Sequence, residues 1–169
     1  MSFTERRLVT VMVDLAQFTQ AVAGMNAVDV VAGVDRYYTG VSAVVIERGG
    51  KVVKYLGDGC LAVFSVGDAV AAVDSVEALA PLVDSMAAEF GLDLAMGANV
   101  HLSVVADGEF GPDRRYDVVG AGVIHRFRMG GGRGIRVSEP VYRSLPSDRR
   151  SAWSKRQPPA TYTRAQLPE

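Results

Sequence analysis

A chain of 169 residues, 49% hydrophobic, can bury one proper core and is cramped for two, so a single domain spanning 1–169 is expected. Its formal net charge of −1 gives no general attraction to nucleic acid or an anionic membrane, so any anionic ligand has to be held by a local constellation. Cys60 is the only cysteine, which excludes an intramolecular disulfide; no apolar run is long enough for a signal-peptide core or a membrane span, and a soluble, cytoplasmic chain is expected.

Leu8 to Val13 is an apolar, β-branched run ending at Asp14, the pattern of a buried central strand whose end presents a carboxylate. From Ala27 to Arg48 apolar residues recur every three or four positions, which predicts a long amphipathic helix stopped by Gly49-Gly50. Val52 to Leu56 and Cys60 to Phe64 read as two strands joined by a tight Gly57-Asp58-Gly59 turn with Asp58 at its tip. A second helix is predicted from Asp68 to Phe90, kinked or split by Pro81 and ended by Gly91. Strands at Leu92 to Val105 and Tyr116 to Val119 follow, then a short helix to Met129. A strand at Ile135 to Val137, a helix at Glu139 to Leu145 and a last strand at Ala160 to Thr163 complete the series. Strands and helices alternate without a repeat or a long linker, which predicts an α/β (α+β) sandwich of ferredoxin-like type.

Asp14 and Asp58 interrupt or end apolar strands, where an unpartnered charge is costly to desolvate. On neighbouring strands their oxygens would converge, a donor set suited to Mg²⁺, which takes a few carboxylates together with phosphate oxygens and water. Taken singly, Asp14 reads equally well as the cap of a following helix and Asp58 as a turn residue. After Asp14, the segment Leu15-Ala16-Gln17-Phe18-Thr19 leaves the strand for helix, and its free N–H groups and the helix dipole would make a phosphate site. No Walker sequence is present: Gly130-Gly131-Gly132-Arg133-Gly134 lacks a Lys-Ser/Thr pair and reads as a loop. Gly120-Ala121-Gly122 carries His125 at the third glycine position of a dinucleotide fingerprint and is discounted. The basic run Arg133, Arg136, Arg143, Arg149, Arg150, Lys155, Arg156, opposed only by Glu139 and Asp148, reads first as a solvated face and second as a phosphate or nucleic-acid patch.

Three segments, VTVMVDLAQFT, GGKVVKYLGDGCLAVF and RRYDVVGAGVIHRFRM, resemble in order and separation those of the class III nucleotide cyclases, over roughly residues 6 to 140. The resemblance implies the class III cyclase fold, with a mainly antiparallel sheet, and an adenylyl cyclase that converts ATP into 3′,5′-cyclic AMP and pyrophosphate. It implies that Asp14, Asp58 and the backbone carbonyl of Leu15 hold two divalent ions, Mg²⁺ or Mn²⁺, with Gln17, Phe18 and Thr19 beside the triphosphate. By the same resemblance Lys54 would donate to adenine N1 and Asp117 accept from the 6-amino group, where guanine offers the opposite pattern. Arg128, eleven positions after Asp117, would meet the charge developing on the phosphates. The implied assembly is a homodimer with two composite sites, and neither nucleic acid nor membrane is an implied partner.

Some positions depart from the family. Ile124 stands where the family has a ribose-holding asparagine, and His125 beside it points about 100° away on a helix. Leu102 falls near the place of a further phosphate-binding cation, for which Lys155 and Arg156 are the candidates in the tail. His125 reads less as a substitute for that asparagine than as a partly exposed or satisfied histidine, and His101 reads the same way. A cyclase-like nucleotide-binding or dimerisation module that has lost turnover is therefore the alternative reading, and a nucleic-acid binder with a basic tail is a distant third.

Overall fold

The protein opens with β1 (Thr4–Ala16), whose alternation buries Val9, Val11, Val13 and Leu15 on one face and turns Leu8, Thr10, Met12 and Asp14 to the other. This computed structural model describes residues 3–164, with the backbone alone for residues 125–128. A single helical turn, α1 (Phe18–Ala21), leads to α2 (Ala27–Glu47). Asn26 caps α2 by accepting from the Val28 and Asp29 amides. At the other end Gly49 takes φ +81° and the Gly50 amide reaches back 2.9 Å to the Val45 carbonyl, the closure that the Gly49-Gly50 pair predicts.

β2 (Lys51–Leu56) and β3 (Gly59–Ser65) form the expected hairpin, joined by the two residues Gly57 and Asp58. The helix expected over 68–90 is two helices, α3 (Ala69–Glu77) and α4 (Ala80–Phe90). Pro81 sits in the first turn of α4, and its ring excludes the carbonyl four residues back, that of Glu77, where α3 ends. Gly91, in the left-handed region, closes α4. The next strand, β4 (Ala95–Phe110), starts later than expected and runs past Val105 to pair with β5 (Arg115–Val119).

The spatial order β2-β3-β1-β4, every neighbour antiparallel, is the ferredoxin-like arrangement. Beyond it lie α5 (Ala121–Arg128) and β6 (Gly134–Ser138), the latter joined parallel to β4. They are followed by α6 (Glu139–Ser144), α7 (Ser147–Arg150), β7 (Ser154–Arg156) and β8 (Thr161–Arg164). The short α7 and β7 lie in the Pro- and Arg-rich tail, where no periodicity predicts them. The described strands thus form one open, mainly antiparallel sheet in the order β2-β3-β1-β4-β6-β8-β7, with β5 on the far end of β4.

Helices cover one face, where Val9, Val11 and Val13 pack with Tyr37, Val41 and Val45 of α2 and Val73 and Val76 of α3. Burial there pushes the Cys60 thiol up to about 12, so it is an inert core group. The opposite face carries a smaller cluster, Leu61, Val63, Val105 and Val118, that Val53 of β2 and Val123 of α5 help to cover. Asp14 belongs to this second, more open face.

Candidate active site

Two carboxylates share one rim because of strand register. Asp14 pairs with Gly59, the first residue of β3, about 4.8 Å across the sheet, and Asp58 is the turn residue immediately before Gly59. On its other side Asp14 pairs with Gly97 of β4. A Cβ built on Gly97 would lie 2.2 Å from Asp14 Oδ1 and 2.8 Å from the Gly132 carbonyl oxygen, so the carboxylate lies across bare backbone. Gly97 was not singled out from the sequence, although a glycine inside an apolar strand signals such an approach.

An open cleft of about 350 Å³ joins this rim to the loop after β1, lined by Leu15, Gln17, Phe18, Thr19, Gln20 and Asp58. Gln17 adopts φ +69°, and its carbonyl accepts from the Gln20 and Ala21 amides. The Phe18 and Thr19 amides precede the first bonded turn and have no helical partner. The helix they open has only four residues, so the dipole expected to favour phosphate contributes little, and the N–H groups themselves are the usable feature. Phe18 packs against the core and anchors the loop. Arg133 pins it from the glycine loop: Nε donates 3.1 Å to Gln17 Oε1, Nη2 donates to the same oxygen, and Nη2 also pairs with Asp93.

Lys54 and Asp117 meet on the same chain, Nζ to Oδ2 at 2.6 Å, the lysine side chain 38% exposed and the aspartate 25%. A bulge between Val52 and Lys54 breaks the β2–β3 register and re-aims the lysine. Lys51, 3.3 Å from the centroid of the Tyr116 ring, further ties β2 to β5. Neither Lys54 nor Asp117 lines the cleft at Asp58, so the Lys54–Asp117 pair and that cleft are separate polar features of one chain.

The other expected residues divide clearly. Ile124 is 62% exposed on α5. The Arg128 backbone closes that helix, but the side chains of Arg128 and His125 lie outside the described residues. Leu102 is half-buried against the main core. Lys155 and Arg156 are exposed on β7.

Most of the basic run is spoken for. Arg149 pairs with Asp74 and Glu77 at 2.6 and 2.9 Å, Arg143 with Glu139 at 2.6 Å, and Arg150 donates to the Leu145 carbonyl. Arg136 donates to carbonyls of the glycine loop, Gly132 at 3.0 Å and Arg133 at 3.2 Å among them.

Among the described residues no three His, Cys, Asp or Glu side chains gather. Asp14 and Asp58 alone fall short of a protein cage, yet hard carboxylate oxygens beside free amides suit a cation completed by phosphate. Among the described residues no helix is long and apolar enough to cross a membrane.

No protein-family model matches the sequence, and no curated protein matches it. Solved structures do. The guanylyl cyclase Cya2 superposes with a TM-score of 0.84 at 23% identity, covering 100% of this chain and 96% of that one. The adenylyl cyclase CyaB from P. aeruginosa gives 0.82 at 18%, covering 96% and 95%. The guanylyl cyclase domain of the RhoGC fusion protein from the aquatic fungus Blastocladiella emersonii gives 0.78 at 20%, covering 96% and 97%. The chain therefore has, along its whole length, the fold of the class III nucleotide cyclase catalytic domains.

Proposed function

We propose that the chain is an adenylyl cyclase acting as a homodimer, converting ATP into 3′,5′-cyclic AMP and pyrophosphate. The observation that supports this reading is the register that sets Asp14 opposite Gly59, the residue after Asp58, with Asp58 itself lining the cleft beside the loop after β1. Asp14, Asp58 and the Leu15 carbonyl would hold two Mg²⁺ or Mn²⁺ ions; when bound, such ions supply positive charge to the phosphates and ease deprotonation of the ribose 3′-hydroxyl. The amides of Phe18 and Thr19 receive phosphate oxygens. The 3′-oxygen bonds to the α-phosphorus, the bond to the β-phosphate oxygen breaks, and pyrophosphate leaves with that electron pair. Lys54 and Asp117, which satisfy each other in the free chain, offer a donor beside an acceptor, complementary to adenine N1 and its 6-amino group. Arg128 meets charge on the phosphates. Incubation with ATP or GTP and Mn²⁺, followed by chromatography, tests the reading; cyclic AMP from ATP is expected, and cyclic GMP alone would reassign the base.

Gly97→Ala is expected to reduce this activity about a hundredfold, because the new methyl group displaces the Asp14 carboxylate and the Gly132 backbone limits its escape. A melting curve beside the kinetics separates this from misfolding; full activity in the folded variant would show that Asp14 does not need its seat on Gly97.

Ile124 supports a second reading, a nucleotide-binding or dimerisation module, since an exposed apolar side chain replaces a ribose-binding amide. Ile124→Asn is expected to raise kcat about tenfold, less than the roughly 10²-fold seen when such a bond is removed elsewhere. A rate that does not rise would mean that other groups already position the ribose.

A further inference from the structure

The turn that carries Asp58 is gripped from behind by α2. Tyr38 donates its hydroxyl hydrogen to the Gly57 carbonyl, and its ring stacks on Tyr55, centroids 4.0 Å apart and planes 18° from parallel. One helical turn later, the Ser42 hydroxyl meets the Tyr55 hydroxyl. Tyr38 and Ser42 are four residues apart and so lie on one helix face, which therefore holds both the end of strand β2 and the turn beyond it.

The bonded carbonyl is the informative one. Gly57 has φ +64° while Asp58 stays at negative φ, the pattern of a type II′ turn with glycine first. The Gly57 carbonyl belongs to the central peptide of that turn, and a peptide is planar, so fixing its oxygen also fixes the amide of Asp58; with Gly59 held in the strand pairing on the other side, the direction in which the Asp58 Cα–Cβ bond leaves is restricted too. A central peptide flip would keep the hairpin paired and re-aim Asp58. Tyr38 opposes that flip.

We propose that Tyr38 is a positioning residue for Asp58, holding the Gly57–Asp58 peptide so that the carboxylate faces the cleft, with the Ser42–Tyr55 contact as its second anchor. This rests on the reading of Asp58 as a cation ligand. Lys54 is placed instead by the bulge and by Asp117, so the clamp acts on cation binding and leaves base choice alone.

Tyr38→Phe keeps the ring and removes only the donor. Binding of Mn²⁺ in the presence of 3′-deoxy-ATP, which lacks the attacking hydroxyl, is measured by electron paramagnetic resonance for wild type and variant, with thermal melts of both. The expected result is Mn²⁺ affinity about tenfold weaker, a melting temperature within a few degrees of wild type, and an unchanged ratio of ATP to GTP use. Ser42→Ala is expected to shift Mn²⁺ affinity the same way by a smaller factor, and it decides the matter if Tyr38→Phe does not fold. Unchanged Mn²⁺ affinity, or a fall in melting temperature with affinity retained, overturns the clamp while the cyclase reading stands. Failure of wild type to bind Mn²⁺ overturns the cation reading and the clamp with it.

Discussion

Asp58→Ala is expected to lower cyclic nucleotide formation about a thousandfold or more, because losing a cation ligand forfeits several kcal/mol of charge stabilisation in the transition state. The fold should survive. Asp58 is a half-exposed residue of a two-residue turn and belongs to neither apolar cluster, and surface substitutions of this kind change stability by about 0.5 kcal/mol or less. The glycine that sets the turn, Gly57, is untouched by the change, and the β2–β3 pairs on either side remain. Turnover with Mn²⁺ and a melting curve on the purified variant measure both halves of the claim. A folded Asp58→Ala protein with wild-type turnover would end the two-carboxylate reading.

What could be read in the sequence follows from how local each signal is. Period and punctuation located α2 and the β2–β3 hairpin within a residue or two, since Gly49 and Gly57 act through backbone geometry that needs no distant partner. The break between α3 and α4 was legible for the same reason, through Pro81. The late start of β4 at Ala95 and its long overrun to Phe110 were not, because β4 is set by pairing with β1 over its whole length and with β5 beyond it, both remote in sequence. The tail was the least legible part. β7 is three exposed residues that owe their strand conformation to β8, and α7 is one turn held by Arg149 on Asp74 and Glu77 of α3.

The candidate site divides along the same line. Asp14 and Asp58 announced themselves as carboxylates at strand ends, and the resemblance then attached Lys54 and Asp117, which the structure brings to 2.6 Å. Their supporting residues carry no such mark. Arg133 looked like one charge in a basic run, yet it crosses from the glycine loop to Gln17. Tyr38 looked like an ordinary member of an amphipathic stripe, yet its hydroxyl leaves the helix to hold the Gly57 carbonyl. Both contacts join segments far apart in sequence, and only the folded sheet shows them.

Asp14→Ala and Lys54→Ala proteins are each expected to be inactive alone and to recover when mixed. The geometry behind this is the separation of the two clusters within one chain. Lys54 lies on β2 and Asp58 in the two-residue turn that follows it, and Lys54 points to Asp117 while Asp58 lines the cleft. On the proposed reading, one chain thus offers a cation and phosphate half-site at the cleft and a base half-site at Lys54 and Asp117, which do not line that cleft. A two-fold dimer would supply the missing half to each, giving two equivalent composite sites. Apolar side chains exposed near both clusters, Tyr55 and Leu56 before the Asp58 turn and Val119 and Ile124 after Asp117, are the surface such a partner would cover. In either variant homodimer every site lacks one half. In the mixed dimer one site carries both defects and the other carries neither. With free subunit exchange half the molecules are mixed and each has one good site of two, so the mixture should approach about a quarter of wild-type activity. Mixing and refolding the two variants, demonstrating exchange with differently tagged chains, and then measuring cyclic AMP tests this. Exchange without recovery would rule out shared sites and leave a monomeric enzyme or a binding module.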